Sequence, residues 1–254
     1  MEITIDGKKL SAKEGETILA VARRAGIDIP SLCHHEALDP VGACRLCVVE
    51  VARNGDERKR IVTACQYPAE EGLSVETRSP LVIEQRQTTL SLLAARCPDV
   101  ELIRDLAERC GGITEYTRFD ENEKCILCYL CTRTCAAVGP EAIAAVGRGK
   151  LKEIAPPFHS DAEACIGCGA CHRICPTGCI TMEDTADTRK IWGRELPFVK
   201  CEVCNAPIMT QAHLAHTVER LGVDEGDYTT CAACKRKALA ERFSAIGVVG
   251  GAGE

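Results

Sequence analysis

The sequence predicts an α+β chain that is divided into small modules, most of them held together by a metal centre. Nineteen cysteines among 254 residues fall mostly in C-x-x-C groups, the spacing by which neighbouring thiolates converge on a metal or cluster. Aromatic residues make up only 4% of the chain, which is too few for one large hydrophobic core. We expect four parts, which span residues 1–78, 79–114, 115–190 and 191–254.

The first part opens with a pattern typical of a β-grasp fold. A hairpin is predicted from Ile3–Ile5 to Lys8–Leu10, because the Asp-Gly pair between them supplies the positive φ that a tight turn needs. Residues Thr17–Ala22 place apolar side chains at helical spacing, and Gly26 is expected to end this helix. The apolar run Val48–Val51 predicts a further strand. Strand, turn, strand and helix together open a β-grasp domain.

Four cysteines in this part have a spacing that suits one 2Fe-2S cluster: Cys33, Cys44, Cys47 and Cys65. Gly42 lets the backbone curl just before Cys44, so that amide groups can point at sulfur. The alternative, a zinc site with the same four cysteines, is disfavoured by the wide first gap. His34 and His35 follow Cys33 directly, where they can donate a hydrogen bond to the cluster or serve as ordinary loop residues.

Residues 1–80 resemble the 2Fe-2S domain that opens the large iron-sulfur subunit of respiratory complex I and of its relatives in bidirectional and electron-bifurcating hydrogenases. The resemblance implies a following segment that binds a 4Fe-4S cluster through one histidine and three cysteines. Here Leu81–Gly112 contains no histidine and only Cys97 and Cys110, so that cluster cannot form. We predict instead a helical spacer at 79–114 with two helices divided near Cys97. Both cysteines are expected to be buried apolar residues, with a redox switch as the alternative.

Two further groups each follow the pattern C-x-x-C-x-x-C-x-x-x-C, the arrangement of bacterial ferredoxins with two 4Fe-4S clusters. In that arrangement the first three cysteines of one run bind one cluster, and the fourth ligates the other cluster. One cluster is therefore predicted on Cys125, Cys128, Cys131 and Cys175, and the other on Cys165, Cys168, Cys171 and Cys135. Cys179 is a spare residue that we expect to pack beneath the clusters. The segment 139–164 between the runs is expected to form a surface hairpin or a docking loop.

The last cysteines form two C-x-x-C knuckles, Cys201 with Cys204 and Cys231 with Cys234. Paired knuckles normally close a tetrahedral structural site, so we predict one zinc ion in a small zinc-ribbon-like C-terminal tail. A further 4Fe-4S cluster or a rubredoxin-like iron on the same four thiolates is the alternative. His213 and His216 lie three residues apart on a predicted helix, where solvent or core roles are favoured over metal binding.

Several classes of function are disfavoured by what the sequence lacks. It has no glycine-rich nucleotide motif, no phosphate-binding lysine motif and no nucleophile-base grouping, so we predict no catalytic residue in this chain. A net charge of -6 argues against nucleic acid as a partner. No apolar stretch reaches the roughly 18 to 20 residues that cross a bilayer, and no export signal is visible. We therefore expect a cytoplasmic protein without direct membrane insertion.

The resemblance also implies what the clusters connect. In the similar subunits, electrons pass between a flavoprotein that handles NAD(H) or NADP(H) and a second catalytic centre. The chain resembles the diaphorase-linked small, or gamma-type, subunit of bidirectional and bifurcating NAD(P)-linked hydrogenases. We therefore expect an electron-relay subunit whose partners are an NAD(P)H-linked flavoprotein subunit, a small 2Fe-2S subunit and a hydrogenase or formate dehydrogenase-type subunit. Hydrogenase is favoured, and ferredoxin is a further candidate partner. The competing interpretations are a free-standing polyferredoxin carrier and a zinc-dominated interaction module without redox chemistry.

Overall fold

The computed structural model of the chain describes residues 1–53, 58–112 and 123–247, the last three of these by their backbone alone. Its first module contains five strands: β1 (Glu2–Ile5), β2 (Lys8–Ser11), β3 (Val48–Arg53), β4 (Arg60–Thr63) and β5 (Leu73–Glu76). They form one sheet in the order β2-β1-β5-β3-β4, in which β1 and β5 run parallel and the other neighbours antiparallel. The predicted hairpin is present and turns through Asp6 (φ 47°) and Gly7 (φ 78°).

One helix, α1 (Ile18–Arg24), packs against this sheet and completes the β-grasp arrangement. Thr17 caps the helix, because its side-chain oxygen accepts a hydrogen bond from Ala20 N. Alternate strand residues and the inner face of α1 form the core, in which each of the following is at most 1% exposed: Ile3, Ile5, Ile18, Leu19, Val21, Val49, Val51 and Val75. Cys47 and Cys65 belong to the same core, so the β-grasp fold itself positions them.

The predicted helical spacer consists of two helices, α2 (Pro80–Arg96) and α3 (Glu101–Arg109). Proline occupies the first turn of α2, where its missing N–H has no intrahelical partner to lose. Cys97 lies at the end of α2 and is fully buried, as the sequence predicts, whereas Cys110 at the end of α3 is half-buried. Burial raises the pKa of Cys97 to about 12, which makes this thiol a poor nucleophile.

A buried arginine fixes the spacer to the β-grasp module. Arg86 of α2 donates hydrogen bonds to Leu46 O at 3.0 Å and to Val48 O at 2.7 Å, on either side of Cys47. Hydrogen bonds from a charged donor contribute about 1.5–3 kcal/mol each. The spacer therefore supports the backbone of the cysteine loop.

The structure describes two sheets and four α-helices within residues 123–247. Helices α4 (Leu130–Val138) and α5 (Ala170–Ile174) pack against each other. In the segment of chain that connects them, β6 (Ala144–Val146) and β7 (Glu153–Ala155) form the hairpin predicted for 139–164. An antiparallel sheet of order β11-β10-β9-β8 follows, made of β8 (Glu183–Asp184), β9 (Thr188–Ile191), β10 (Arg194–Lys200) and β11 (Pro207–Thr210). The last helices are α6 (Gln211–Leu221) and α7 (Ala232–Gly247). Among helices of the described residues, none has the length and apolar character that a membrane span requires.

The four-stranded sheet β8–β11 crosses position 190, which the sequence predicts as the boundary between the 4Fe-4S part and the tail. Ile191 and Leu196 are buried in one core with Cys165 and Cys171. Arg189 of β9 donates a hydrogen bond to Gly167 O at 2.8 Å, within the cysteine loop. Strands β9 and β10 therefore belong to the same packed unit as that loop, and the tail continues directly from it.

Candidate iron-sulfur and metal sites

The first cysteine group surrounds one buried site in the β-grasp module. The members, Cys33, Cys44, Cys47 and Cys65, are each at most 7% exposed. Their thiols are hydrogen-bonded in two pairs, Cys33 with Cys44 and Cys47 with Cys65. Leu32 N donates to Cys44 Sγ and Cys44 N donates to Cys33 Sγ, both at 3.4 Å. Four buried thiols with amide donors directed at sulfur fit a 2Fe-2S cluster.

Within each hydrogen-bonded pair, one thiol has a lowered pKa and the other has a raised pKa. The bond with Cys33 lowers the pKa of Cys44 to about 6, and the bond with Cys65 lowers the pKa of Cys47. The same bonds, together with burial, raise the pKa of Cys33 and Cys65. Because cluster ligands are thiolates, iron binding here must release protons chiefly from Cys33 and Cys65.

His34 adjoins this site and has a buried Nδ1 atom without a hydrogen-bond partner in the described residues. Burial lowers the pKa of His34 below its ordinary value, so its ring is neutral near pH 7. His35 differs, because its Nδ1 accepts a hydrogen bond from Ala37 N at 3.2 Å. Of the two histidines, His34 is therefore the better candidate for a hydrogen bond to the predicted 2Fe-2S cluster.

The second and third cysteine groups line two separate cavities. The first cavity is lined by Cys125, Cys128, Cys131 and Cys175, and also by Cys179. The second is lined by Cys135, Cys165, Cys168 and Cys171. Each cavity thus takes cysteines from both motifs, in the crossed arrangement that the sequence predicts. The packing of α4 against α5 brings about this exchange.

The backbone follows the same path around both cavities. In each motif the residues on either side of the second cysteine have positive φ: Leu127 (51°) and Tyr129 (60°), then Gly167 (68°) and Gly169 (71°). This conformation turns amide groups toward sulfur, and Gly167 N donates to Cys165 Sγ at 3.4 Å. A Cβ atom at Gly167 would lie 2.6 Å from Leu196 Cδ1 and 2.9 Å from Thr210 Cγ2. Glycine is therefore required at 167, while a leucine fits at the matching position 127.

Burial keeps several of these thiols protonated in the absence of a cation. It raises the pKa of Cys128 to about 11, that of Cys131 to about 12 and that of Cys171 to about 11. Trp192 Nε1 donates to Cys171 Sγ at 3.4 Å, a contact that favours the thiolate. Iron supplies the positive charge that allows buried thiols to ionise, so this donor set fits 4Fe-4S clusters.

Cys179 lies on the wall of the first cavity, whereas the sequence predicts a spare residue packed beneath the clusters. Its backbone N donates to Cys175 Sγ at 3.3 Å. Its thiol is hydrogen-bonded to Cys125, which lowers the pKa of Cys125 to about 7. A carboxylate oxygen of Glu123 and the sulfurs of Cys125 and Cys179 all lie within 4.8 Å of one another. The sequence feature that could have indicated this position is the short Pro-Thr-Gly turn after Cys175, which brings the thiols of Cys175 and Cys179 to one wall of the cavity.

The 2Fe-2S site and the first cavity are joined by one hydrophobic core. Residues from both sites and from the spacer helices contribute to it: Leu32, Cys33, Cys44, Leu46, Leu90, Ile103, Ile126, Cys128 and Leu130. Arg133 of α4 reaches across and donates hydrogen bonds to Cys33 O and Asp39 O, each at 2.5 Å. Arg96 of α2 donates to Cys125 O at 2.8 Å. Two cluster sites that are distant in sequence are thereby held in one packed unit.

The tail cysteines converge on a fourth site. The sulfurs of Cys201, Cys204, Cys231 and Cys234 all lie within 4.8 Å of one another. Cys201 is buried and Cys204 is exposed. Cys231 N donates to Cys201 Sγ at 3.3 Å, and this bond lowers the pKa of Cys201 to about 6. The group has the number and type of donors that a tetrahedral metal site requires.

The fold around this fourth site differs from the predicted ribbon. The first pair of cysteines occupies the turn between β10 and β11, where Asn205 has φ 58°. The second pair lies at the start of α7 instead of in a second strand turn. His216 of α6 lies with Nε2 3.0 Å from Val138 O, which is the structural role that the sequence favours over metal binding.

Comparison with known proteins agrees with the two cluster regions. Residues 1–80 match the family model described as a 2Fe-2S iron-sulfur cluster binding domain, and residues 119–182 match a 4Fe-4S dicluster domain. A chain in the crystal structure of NAD+-reducing [NiFe]-hydrogenase in the H2-reduced state superposes with a TM-score of 0.61 at 31% identity. The match covers 70% of this chain and 85% of that chain. The chain belongs to the iron-sulfur subunits of NAD(P)-linked hydrogenases and complex I-like oxidoreductases.

Curated members of this family are longer than this chain. The NADP-reducing hydrogenase subunit HndD of Solidesulfovibrio fructosivorans is 34% identical over 216 residues, which are 72% of this chain and 36% of the relative. The NADPH-Fe(3+) oxidoreductase subunit alpha of Geobacter sulfurreducens is 30% identical over 92% of this chain and 30% of the relative. The mitochondrial NADH-ubiquinone oxidoreductase 78 kDa subunit of Neurospora crassa is 28% identical over 76% of this chain and 29% of the relative. The chain thus spans about a third of the length of these relatives.

As a member of this family, the chain has all twelve predicted cluster cysteines within the two matched regions. Cys179 also falls within residues 119–182, whereas the four tail cysteines lie beyond both regions.

Proposed function

We propose that this chain is an electron-relay subunit of a multi-subunit oxidoreductase. It passes single electrons between an NAD(P)(H)-linked flavoprotein subunit and a second catalytic subunit, for which hydrogenase is favoured and formate dehydrogenase comes next. The observation that carries this proposal is the shared core that joins the 2Fe-2S cysteines to the first 4Fe-4S cavity. A continuous packed path between redox sites suits electron transfer.

The proposed ligands follow the four groups described above. The 2Fe-2S cluster takes Cys33, Cys44, Cys47 and Cys65, one 4Fe-4S cluster takes Cys125, Cys128, Cys131 and Cys175, and the other takes Cys165, Cys168, Cys171 and Cys135. When bound, these clusters supply one-electron chemistry at potentials set by charge, hydrogen bonds and solvent exposure. The chain itself contributes buried thiols, amide donors such as Gly167 N, and an apolar surround that limits water.

The contacts between the three sites indicate the order in which electrons would pass through them. The 2Fe-2S site contacts the first 4Fe-4S cavity through the shared core, and α4 carries cysteines of both 4Fe-4S cavities. Electrons would therefore pass from the 2Fe-2S site through the first 4Fe-4S site to the second, or in the reverse direction. The two ends of this path would face different partners, among them a flavoprotein subunit, a small 2Fe-2S subunit or ferredoxin.

The tail site is proposed to hold one structural zinc ion. Its four thiol donors close a tetrahedral site, and the side chains of α7 described at 232–244 are exposed apart from Cys234, so metal ligation through Cys231 and Cys234 would be the main attachment of this helix. A fourth 4Fe-4S cluster or a single iron on the same thiolates is the alternative. The cytoplasmic location expected from the sequence remains part of this proposal.

A free-standing polyferredoxin carrier is the second candidate function. Against it stands the insertion between the two 4Fe-4S motifs, where Phe158 is 96% exposed and Leu151 is 72% exposed. Both exposed apolar side chains lie on the segment 139–164, which the sequence predicts as a surface hairpin or a docking loop. They favour a subunit that is assembled with partners over a carrier that diffuses freely.

Anaerobic quantification of iron, sulfide and zinc in the purified chain tests this function, together with low-temperature EPR after dithionite reduction. We expect about ten iron atoms per chain, two from the 2Fe-2S cluster and four from each 4Fe-4S cluster, with one zinc. About fourteen iron atoms would make the tail a further 4Fe-4S site. Zinc without iron would exclude the relay.

A further inference from the structure

The two 4Fe-4S cavities differ in the number of cysteines on their walls. The second cavity has the four predicted ligands, whereas the first has its four and Cys179. Gly178 has φ 61°, and with this turn the chain brings Cys179 back to the cavity only four residues after Cys175. One cavity of an otherwise matched pair therefore holds an extra thiol.

The hydrogen bonds around the two neighbouring thiols are unequal. Cys175 Sγ accepts a bond from Cys179 N at 3.3 Å and lies 3.6 Å from Thr177 Oγ1, so the turn holds this sulfur in place. Cys179 contacts the sulfur of Cys125 and a carboxylate oxygen of Glu123 within 4.8 Å. The turn therefore supports Cys175 as the ligand, while Cys179 stands on the same cavity wall beside Cys125.

We propose that Cys179 is a reserve ligand of the first 4Fe-4S site, which can replace Cys175 on iron. This role rests on the proposed function, because it requires a cluster in the first cavity. In the exchange, the bond between iron and Cys175 Sγ breaks and a bond between iron and Cys179 Sγ forms. The proton leaving Cys179 is taken up by the released Cys175 thiolate, so the charge and the oxidation state of the cluster do not change.

The exchange is local, because both cysteines belong to the same turn. The cysteines that remain bound, Cys125, Cys128 and Cys131, come from the other motif and need not move. No equivalent exchange is available in the second cavity, whose wall within the described residues carries Cys135 as the single cysteine from the first motif. Removing Cys175 should therefore leave a cluster in the first cavity, whereas removing Cys135 should release the cluster from the second.

A set of four variants of the full chain tests this asymmetry: Cys175→Ala, Cys179→Ala, the double variant of both, and Cys135→Ala as the matched control. Iron and sulfide are quantified anaerobically, and each reduced protein is examined by EPR. The signal of the 2Fe-2S site serves in every sample as the internal measure of correct folding.

We expect Cys179→Ala and Cys175→Ala to retain the iron content of the unmodified chain, with a changed EPR line shape of the first 4Fe-4S site in Cys175→Ala. The double variant should lose the first 4Fe-4S signal, and Cys135→Ala should lose the second. Equal loss of iron in Cys175→Ala and Cys135→Ala would overturn the reserve role, as would loss of the cluster in Cys179→Ala alone. An unmodified chain without iron would instead refute the proposed function itself.

Discussion

Arg133 Nη2 donates a hydrogen bond of 2.5 Å to the carbonyl oxygen of Cys33, joining a helix of the 4Fe-4S region to the loop of the 2Fe-2S site. The same side chain donates to Asp39 O through Nη1. One guanidinium group thereby holds two stretches of the loop that precedes Cys44. The relative position of the two redox sites depends on this residue as well as on the apolar core beneath it.

Replacing Arg133 with methionine should weaken the attachment of the 2Fe-2S loop. The charged donor to two carbonyl groups is lost, so we expect a destabilisation of about 1–3 kcal/mol. The measurement is the guanidinium concentration at which the visible absorption of the 2Fe-2S cluster disappears under anaerobic conditions. Arg104→Met, at an exposed position of α3, is the control and should be nearly neutral. Equal midpoints for the two variants would show that the Arg133 contact contributes nothing.

Replacing Gly167 with alanine should remove the second 4Fe-4S cluster. The new Cβ would meet the buried side chains of Leu196 and Thr210, in a loop whose amide donates to Cys165 Sγ. Gly26→Ala is the matched control, since Gly26 also has positive φ (71°) but open space around its Cβ position. An alanine with positive φ costs about 1–2 kcal/mol in both variants, so any difference in their iron content reports the steric clash at position 167. Iron analysis should show loss of about four iron atoms in Gly167→Ala alone, and unchanged iron would contradict the prediction.

Replacing Cys204 with serine should empty the tail site without affecting the clusters. Cys204 is the exposed member of its group, and loss of one thiolate weakens a tetrahedral site strongly. We expect loss of the metal and of helical circular dichroism from α7, with unchanged iron content and EPR signals. Cys110→Ser, which removes a half-buried thiol far from the four tail sulfurs in sequence, is the control. Loss of about four irons from Cys204→Ser would identify the tail as a cluster.

Replacing His34 with leucine should shift the midpoint potential of the 2Fe-2S site to more negative values, because a hydrogen bond to the cluster favours its reduced form. His35→Leu should leave the potential unchanged. Burial lowers the pKa of His34, so the neutral ring persists as pH rises and protonation begins only at acidic pH. The potential of the unmodified chain should therefore stay constant between about pH 7 and 9. Identical potentials for the two variants would assign no cluster contact to His34.

Local sequence signals predict local structure well in this chain. The Asp6-Gly7 turn and the helix predicted from Thr17–Ala22 depend on residues that are close in sequence, and both are present in the structure. The crossed grouping of cysteines around two cavities could be predicted because the motif spacing itself encodes it.

Contacts between distant segments could not be predicted in the same way. Nothing near Arg133 in sequence indicates a bond to Cys33, 100 residues earlier. The sequence does not predict the sheet across position 190, because charged residues in the short strands β9 and β10 obscure the alternation of apolar and polar side chains. The sequence assigns Cys179 to no site, because the two-cluster motif ends at Cys175, and the folded turn is what brings both thiols to one wall.

The exchange of cysteines between the two motifs would make the proposed clusters act as cross-links. With the proposed ligands, iron is bonded to the chain on both sides of the β6–β7 hairpin. A protease cut in its exposed turn at 148–151 would break the polypeptide, yet the two fragments would remain fastened to each other through both clusters. They would separate only when iron is removed, so insertion of the clusters would also interlock the two halves of this region.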